Sequence, residues 1–325
     1  MKAINGCSML ARRTDKLMRQ RGVALITILL VVAVLTAIVS RLSLSSEVWL
    51  RQVENSTSLA QAEQATRGAQ LWINLILEQD SNDFDGTTDI WAQPLPPIPV
   101  AWGELYAWIE DMQARINLNN LIDEEGKLDA VALLQLERLL EVLDLDPRVA
   151  QAIVDWIDPD SDTAGPWGAE DIFYIGLDTP YSAANRPLAD TGELRMVRGI
   201  DQQTWDTLEP YIAALPGGTI VNVNMASPEV LAAMMTDRGG PRQVMTEAER
   251  WTIEATRLPY TSAEDFAERA LGNKDSEMPR GLTIDTEFFL AHTLLTFGDV
   301  EYRMATLYHR NRGNASIINH TRELF

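Results

Sequence analysis

The sequence predicts an α+β fold in which a long N-terminal helix packs on a small antiparallel sheet, with a large helical domain inserted in the sheet region. Three observations predict it. An uncharged apolar run continues, without a proline, into a helical stripe; alternating segments occur near residue 112 and again near residue 300; and the residues between them carry helical spacing and caps.

No charged residue occurs from Gly22 to Ser40, and Val23–Val39 is apolar except for Thr27 and Thr36. As a helix that run spans roughly 26 Å, close to the lower limit for a bilayer. Beyond it Leu59, Ala62, Ala65, Ala69, Trp72 and Ile76 recur at steps of three and four, with no proline between Val23 and Asp80. One helix can therefore run through both. The basic flank precedes the apolar run, which favours a cytoplasmic N-terminus and a body on the far side. Three readings of this segment stand: a cleaved secretory signal, an uncleaved anchor, and a leader ending at Gly22. The last rests on the abrupt start Arg21-Gly22-Val23-Ala24-Leu25-Ile26, which resembles type IV pilins and pseudopilins. In that family a dedicated peptidase cuts after the glycine, and the apolar helix stays on the mature protein.

Residues 80–103 hold Asp80, Asn82, Asp83, Asp85, Gly86 and four prolines, and read as a loop. Glu104–Ile109 follows, and then Met112, Ala114, Ile116 and Leu118 alternate with Gln113, Arg115 and Asn117, the pattern of a strand in a hairpin. A second hairpin is expected from Phe289–Phe297, Gly298-Asp299 and Val300–His309, where Tyr302, Met304, Thr306 and Tyr308 alternate with Glu301, Arg303 and Leu307. Between the two lie helices. Leu133, Leu136, Leu140 and Leu143 make a stripe, and Asp146-Pro147 reads as an N-cap before Ala150, Ile153 and Trp156. Ser227-Pro228-Glu229 opens another helix, and Thr261 or Ser262 a further one before Phe266 and Leu271.

Charge is unevenly placed. Residues 1–22 carry six basic side chains against Asp15, a net of +5, so with a formal net charge of −20 the rest of the chain carries −25. So acidic a body repels nucleic acid and anionic lipid and favours cations. The single cysteine, Cys7, lies in the basic leader and says nothing of redox compartment. There is no H-E-x-x-H and no G-x-S-x-G, which disfavours an anchored calcium-dependent hydrolase, and His292, His309 and His320 are not at metal-ligand spacing. No catalytic residue is expected.

The acidic stretch Asp158-x-Asp160-x-Asp162, followed by Glu170 and Asp171, imitates the start of a calcium loop. It departs from an EF-hand at Thr163 and Ala169, where glycine and glutamate are required. Crowded carboxylates repel unless a cation joins them, and otherwise the stretch is a solvated linker. The segment Leu194–Ile200 and the Val221–Pro228 block also suggest a helix-hairpin-helix, hence the alternative of an exported DNA-binding or competence-type pilin protein. Asp201 stands where a second glycine is needed, and the acidity opposes phosphate binding. Trp91, Trp102, Trp108, Trp167 and Trp205 are candidates for core or interface.

Taken together, Arg21–Leu25, Asp155-Trp156-Ile157-Asp158-Pro159-Asp160-Ser161-Asp162, Gly168-Ala169-Glu170-Asp171, Pro180–Ile200 and Val221–Pro228 resemble the K-type minor pseudopilins of type II secretion. The resemblance covers nearly the whole chain. It implies a non-catalytic protein of the bacterial inner membrane, single-pass, with a periplasmic body of type IV pilin-like fold. It also implies a division into leader (1–22), membrane segment (23–42), first part of the core (43–120), inserted all-α domain (121–280) and C-terminal strands (281–325). The partners implied are the prepilin peptidase, acting between Gly22 and Val23, the I-type and J-type minor pseudopilins at the pseudopilus tip, and other secretion subunits, with no nucleic acid. It implies calcium in the insertion, with Asp158, Asp160, Asp162, Glu170 and Asp171 as ligands. Major subunits of the family carry glutamate at the fifth mature position; here that position is the neutral Thr27.

Overall fold

The computed structural model describes residues 8–80, 83–100, 103–297 and 300–322, with side chains from residue 24 onward except those of 241, 242, 297 and 300. The chain divides into two units, Met1–Gln64 and Ala65–Phe325.

The first unit is helix throughout its described residues, part of α1 (Ser8–Gln79). Every residue from Ala24 to Thr57 is exposed. The helix is long and apolar enough to cross a membrane, its most apolar window having a mean hydropathy of 2.6. The Thr27 hydroxyl donates to the carbonyl of Ala24 at 2.9 Å, so it is satisfied within its own helix.

In the second unit, α1 ends against a five-stranded antiparallel sheet. The strands are β1 (Ile98–Val100), β2 (Gly103–Asp111), β7 (Phe288–Phe297), β8 (Val300–Asn311) and β9 (Asn314–Arg322), and they lie side by side in that order. Ile73 and Leu77 pack with Trp91, Ala107, Ile109, Phe289, Ala291 and Tyr308 in one apolar core. The Tyr308 hydroxyl donates to the Gln70 carbonyl at 3.0 Å. The buried positions of this part of α1 are Thr66, Ala69, Ile73 and Leu77; the expected stripe through Ala65, Trp72 and Ile76 lies at its half-buried margin. A row of small and large apolar residues leaves the centre of a helical face ambiguous by one position, and contact with the sheet decides it.

Between β2 and β7 the chain runs through β3 (Ile116–Asn117), α2 (Ala130–Val142), α3 (Val149–Ile157), α4 (Asp171–Ile175), α5 (Gln202–Leu208), β4 (Ile212–Ala213), β5 (Val221–Asn222), α6 (Pro228–Met234), α7 (Pro241–Arg257), α8 (Ala263–Arg269) and β6 (Leu282–Thr283). The short strands form two parallel two-residue ladders, β3 with β4 and β5 with β6. The helices share one core, with Leu136, Leu140, Ile153, Trp156, Tyr174, Leu231, Trp251 and Phe266 fully or almost fully buried. Ser227 and Ser262 cap α6 and α8 by accepting the amides of Val230 and Asp265.

Three expectations need correction. The alternating segment Met112–Leu118 is not a strand; it passes through two 3-10 turns around the two residues of β3. Asp111 and Asn117 each accept the amide two residues on, at 2.7 and 3.2 Å, which competes with a ladder. The polar residues also turn inward, Gln113 binding the carbonyl of Ile220 and Asn117 that of Pro216, both at 2.8 Å. β2 instead occupies residues 103–111 and pairs with β7, Trp108 opposite His292. The 80–103 loop contains β1, an edge strand, where Pro99 costs no interior ladder bond. Finally, Asp146 accepts the amide of Arg148 in a turn, and α3 begins at Val149, later than an Asp146 cap would place it.

Candidate cation site

The last turn of α3 carries Asp155, and Asp158 caps its C-terminus. Three residues apart, they lie on one face at the negative end of the helix, where carboxylates are unfavourable. The chain then loops back so that Glu170, the residue before α4, joins them. Asp155, Asp158 and Glu170 each offer a carboxylate oxygen, all within 4.8 Å of one another. They are 0%, 7% and 6% exposed.

Close return of the loop depends on Gly168, since a Cβ there would lie 2.2 Å from Asp155 Oδ2. The amide of Ala164 donates to Asp155 Oδ1 at 2.7 Å, and that of Trp167 to Gln151 Oε1 at 3.0 Å. Four buried oxygens nonetheless have no hydrogen-bond partner: Asp155 Oδ2, Asp158 Oδ1 and both oxygens of Glu170. Asn185, whose amide donates to the Trp156 carbonyl at 3.0 Å, contributes another partnerless buried oxygen, Oδ1.

The electrostatics follow. Burial pushes Glu170 up to about 7, aided by the charges of Asp155, Asp158, Asp160 and Asp171. Burial likewise pushes Asp158 up to about 6, aided by Asp160 and Asp155. Asp155 is raised by burial in spite of the amides of Ala164 and Ala169. Buried, mutually repelling, partnerless carboxylates are costly without a cation. An all-oxygen donor set with neither histidine nor thiolate suits a hard ion such as calcium.

Of the five expected ligands, the fold brings together Asp158 and Glu170. Asp160 acts on them by charge, but its side chain is exposed and accepts the amide of Asp162 at 2.7 Å. Asp162 is exposed. Asp171 accepts the amide of Ala183 at 2.8 Å and so ties the following loop to α4. Asp155 was not expected as a ligand. Its signal was helical spacing, three residues before Asp158, whereas the alternating acids draw attention to the loop. A second acidic group, Asp80, Asp85 and Asp89, holds its own cation, because Arg310 bonds both Asp80 and Asp85.

Gly22 and Val23 lie where only the helical backbone is described. In the hairpin-like segment Gly199 adopts φ +86°, and the Asp201 carboxylate accepts the amide of Thr204 at 2.8 Å. An acid therefore occupies the helix end that a phosphate would need. Trp91 is core, Trp102 lies outside the described residues, and Trp108, 40% exposed, stacks on His292 at 4.9 Å.

Comparison with known proteins agrees with this architecture. The family model for type II secretion system protein K matches residues 114–217. Type II secretion system protein K of Pseudomonas aeruginosa is 32% identical over 296 residues, 86% of each chain. That of Aeromonas hydrophila is 28% identical over 321 residues, covering 92% of this chain and 96% of the relative. The crystal structure of the GspK-GspI-GspJ complex from enterotoxigenic Escherichia coli contains a chain with the same fold, at a TM-score of 0.69 and 22% identity over 84% of this chain and all of that one. With such identity sustained along most of both chains, this chain belongs to the type II secretion system protein K family.

Proposed function

We propose that this minor pseudopilin caps the tip of the periplasmic pseudopilus in complex with I-type and J-type minor pseudopilins, without catalysis. The reading places its apolar helix in the inner membrane after cleavage between Gly22 and Val23, with the N-terminus cytoplasmic and the body periplasmic. Its core is read as a pilin-like helix and sheet, interrupted by the helical domain between β2 and β7.

Thr27 carries the tip assignment. Counted from Val23 it is the fifth residue, and its hydroxyl is bonded within its own helix. It offers no carboxylate to the terminal ammonium of an adjacent subunit, and a buried carboxylate in lipid needs such a partner. The position that asks least for one is the first in the fibre. The solved relative, in a complex with GspI and GspJ, supports the choice of partners. Mixing the detergent-solubilised full chain with its I-type and J-type partners and measuring mass by light scattering tests this. A 1:1:1 complex is expected; polymerisation of this chain alone, or failure to bind both partners, overturns it.

The carboxylates Asp155, Asp158 and Glu170 are read as the centre of a calcium site, with Asp160 adding charge. Four partnerless buried oxygens support it. Calcium would supply the positive charge that lets the α3 end and the loop before α4 stay together. Its role is structural, since nothing among these residues is placed to move a proton or attack a bond.

A further inference from the structure

We infer that Arg198 is a positioning residue for the cation site, a strap that holds the segment 167–174 closed so that Glu170 meets Asp155 and Asp158 before an ion arrives. The inference rests on reading the carboxylate cluster as a cation site.

The base of the strap is rigid. Val197 and Ile200 are buried, and their amides donate to Leu194 and Val197 at 2.9 and 3.2 Å. Gly199 at φ +86° lies against Val149, where a Cβ would stand 3.2 Å from Cγ2. Arg198 is therefore anchored beside the start of α3, the helix that carries Asp155.

From that base it contacts the loop on both sides of Glu170. Nη1 donates to the Gly168 carbonyl at 3.1 Å. The guanidinium carbon lies 4.9 Å from the centre of the Trp167 ring and 4.7 Å from that of Phe173. The Arg198 amide meets the Tyr174 hydroxyl at 3.3 Å. Arg148, fixed by Asp146, lies 4.0 Å over Trp167 as well. Gly168, whose carbonyl Arg198 bonds, is also the residue at which a Cβ would stand 2.2 Å from Asp155 Oδ2.

Arg198 is no counter-ion to the acids. Among the described residues no ion pair joins it to Asp155, Asp158 or Glu170, and its guanidinium bonds the Gly168 carbonyl instead. Its contribution is shape: a planar fork that stacks on two rings while bonding a carbonyl, which an ammonium cannot reproduce. A strap of this kind orders the loop in advance and removes an ordering cost from binding. Without the ion the closed loop crowds repelling acids, so releasing it changes the metal-free protein little.

The test uses the full chain in detergent, stripped of metal, as native protein, R198A and R198K. Calcium affinity is read by competition against terbium, whose luminescence Trp156 can sensitise, and melting is followed with chelator and with calcium. Both variants are expected to bind calcium about tenfold or more weakly, a loss of about 1.4 kcal/mol or more, while melting within about 2 °C of native protein in chelator. Should R198A not fold, R198K carries the comparison. Unchanged affinity, native affinity restored by lysine, or equal melting losses with and without calcium overturns the inference. Native protein that ignores calcium sinks the cation reading itself, and the strap with it.

Discussion

Arg310 donates from Nη2 to Asp85 at 2.6 Å, joining the end of β8 to the loop after α1 across 225 residues of sequence. Nη1 reaches Asp80 at 2.9 Å, and Nη2 also meets the Thr286 carbonyl at 3.0 Å. Asp85 in turn receives the Trp91 indole and the Thr286 amide. Thr286 and Asn222 both donate to Asp111 at the end of β2. One buried network thus ties the helix end, the strands that flank the insertion and the insertion itself.

Arg310 is the cation of that network, its side chain 2% exposed against 0% for Asp85. R310A leaves a buried carboxylate unpaired and should cost about 3–5 kcal/mol. Arg238, exposed and paired with Glu247 at 2.7 Å, is the control; its replacement by alanine should cost under about 1 kcal/mol. Chemical denaturation of the full chain in detergent compares the two, and equal losses would contradict the network's role.

Calcium should raise the melting temperature of metal-stripped full chain, because an ion bound only by the folded state stabilises it. D158N and E170Q should each remove most of that rise. D162N should keep it, since Asp162 is exposed and apart from the three buried acids. A rise that survives E170Q would mean that the ion binds elsewhere.

Proton and ion should compete for this site. The folded-state values, about 6 for Asp158 and about 7 for Glu170, lie above their ordinary values of 3.8 and 4.5. Between those limits the folded chain holds protons that the unfolded chain has released. Their contribution to stability is therefore complete below about pH 4 and lost as pH rises to about 7. Calcium requires the ionised form, so its effect on melting should be small at pH 5 and full above pH 7. Melting curves at pH 5 and 7.5, with and without calcium, measure this; an effect larger at pH 5 would count against the site.

Processing between Gly22 and Val23 should appear in the intact mass of membrane-extracted protein as loss of the first 22 residues and one added methyl group. A terminus between Ala37 and Ser46 would instead mark an ordinary signal peptide and remove the apolar segment from the mature chain.

Local pattern by itself determined the long helix, the β7–β8 hairpin, the serine cap of α6, the start of α8 to within one residue (Thr261 or Ser262), and the acidic block around Asp158. Each depends on neighbours within a few residues, where period, cap chemistry and absence of proline act directly. Tertiary structure decided the rest. Asp111 pairs with Phe289 across the whole insertion, and no pattern near either residue names the other. The Met112–Leu118 alternation misled because its polar members bind distant carbonyls in place of solvent. Asp155 joined the cluster because the loop returns over Gly168 and brings Glu170 to the end of α3. A carboxylate's partners are set by where the chain comes back, and that return is decided by packing between segments far apart in sequence.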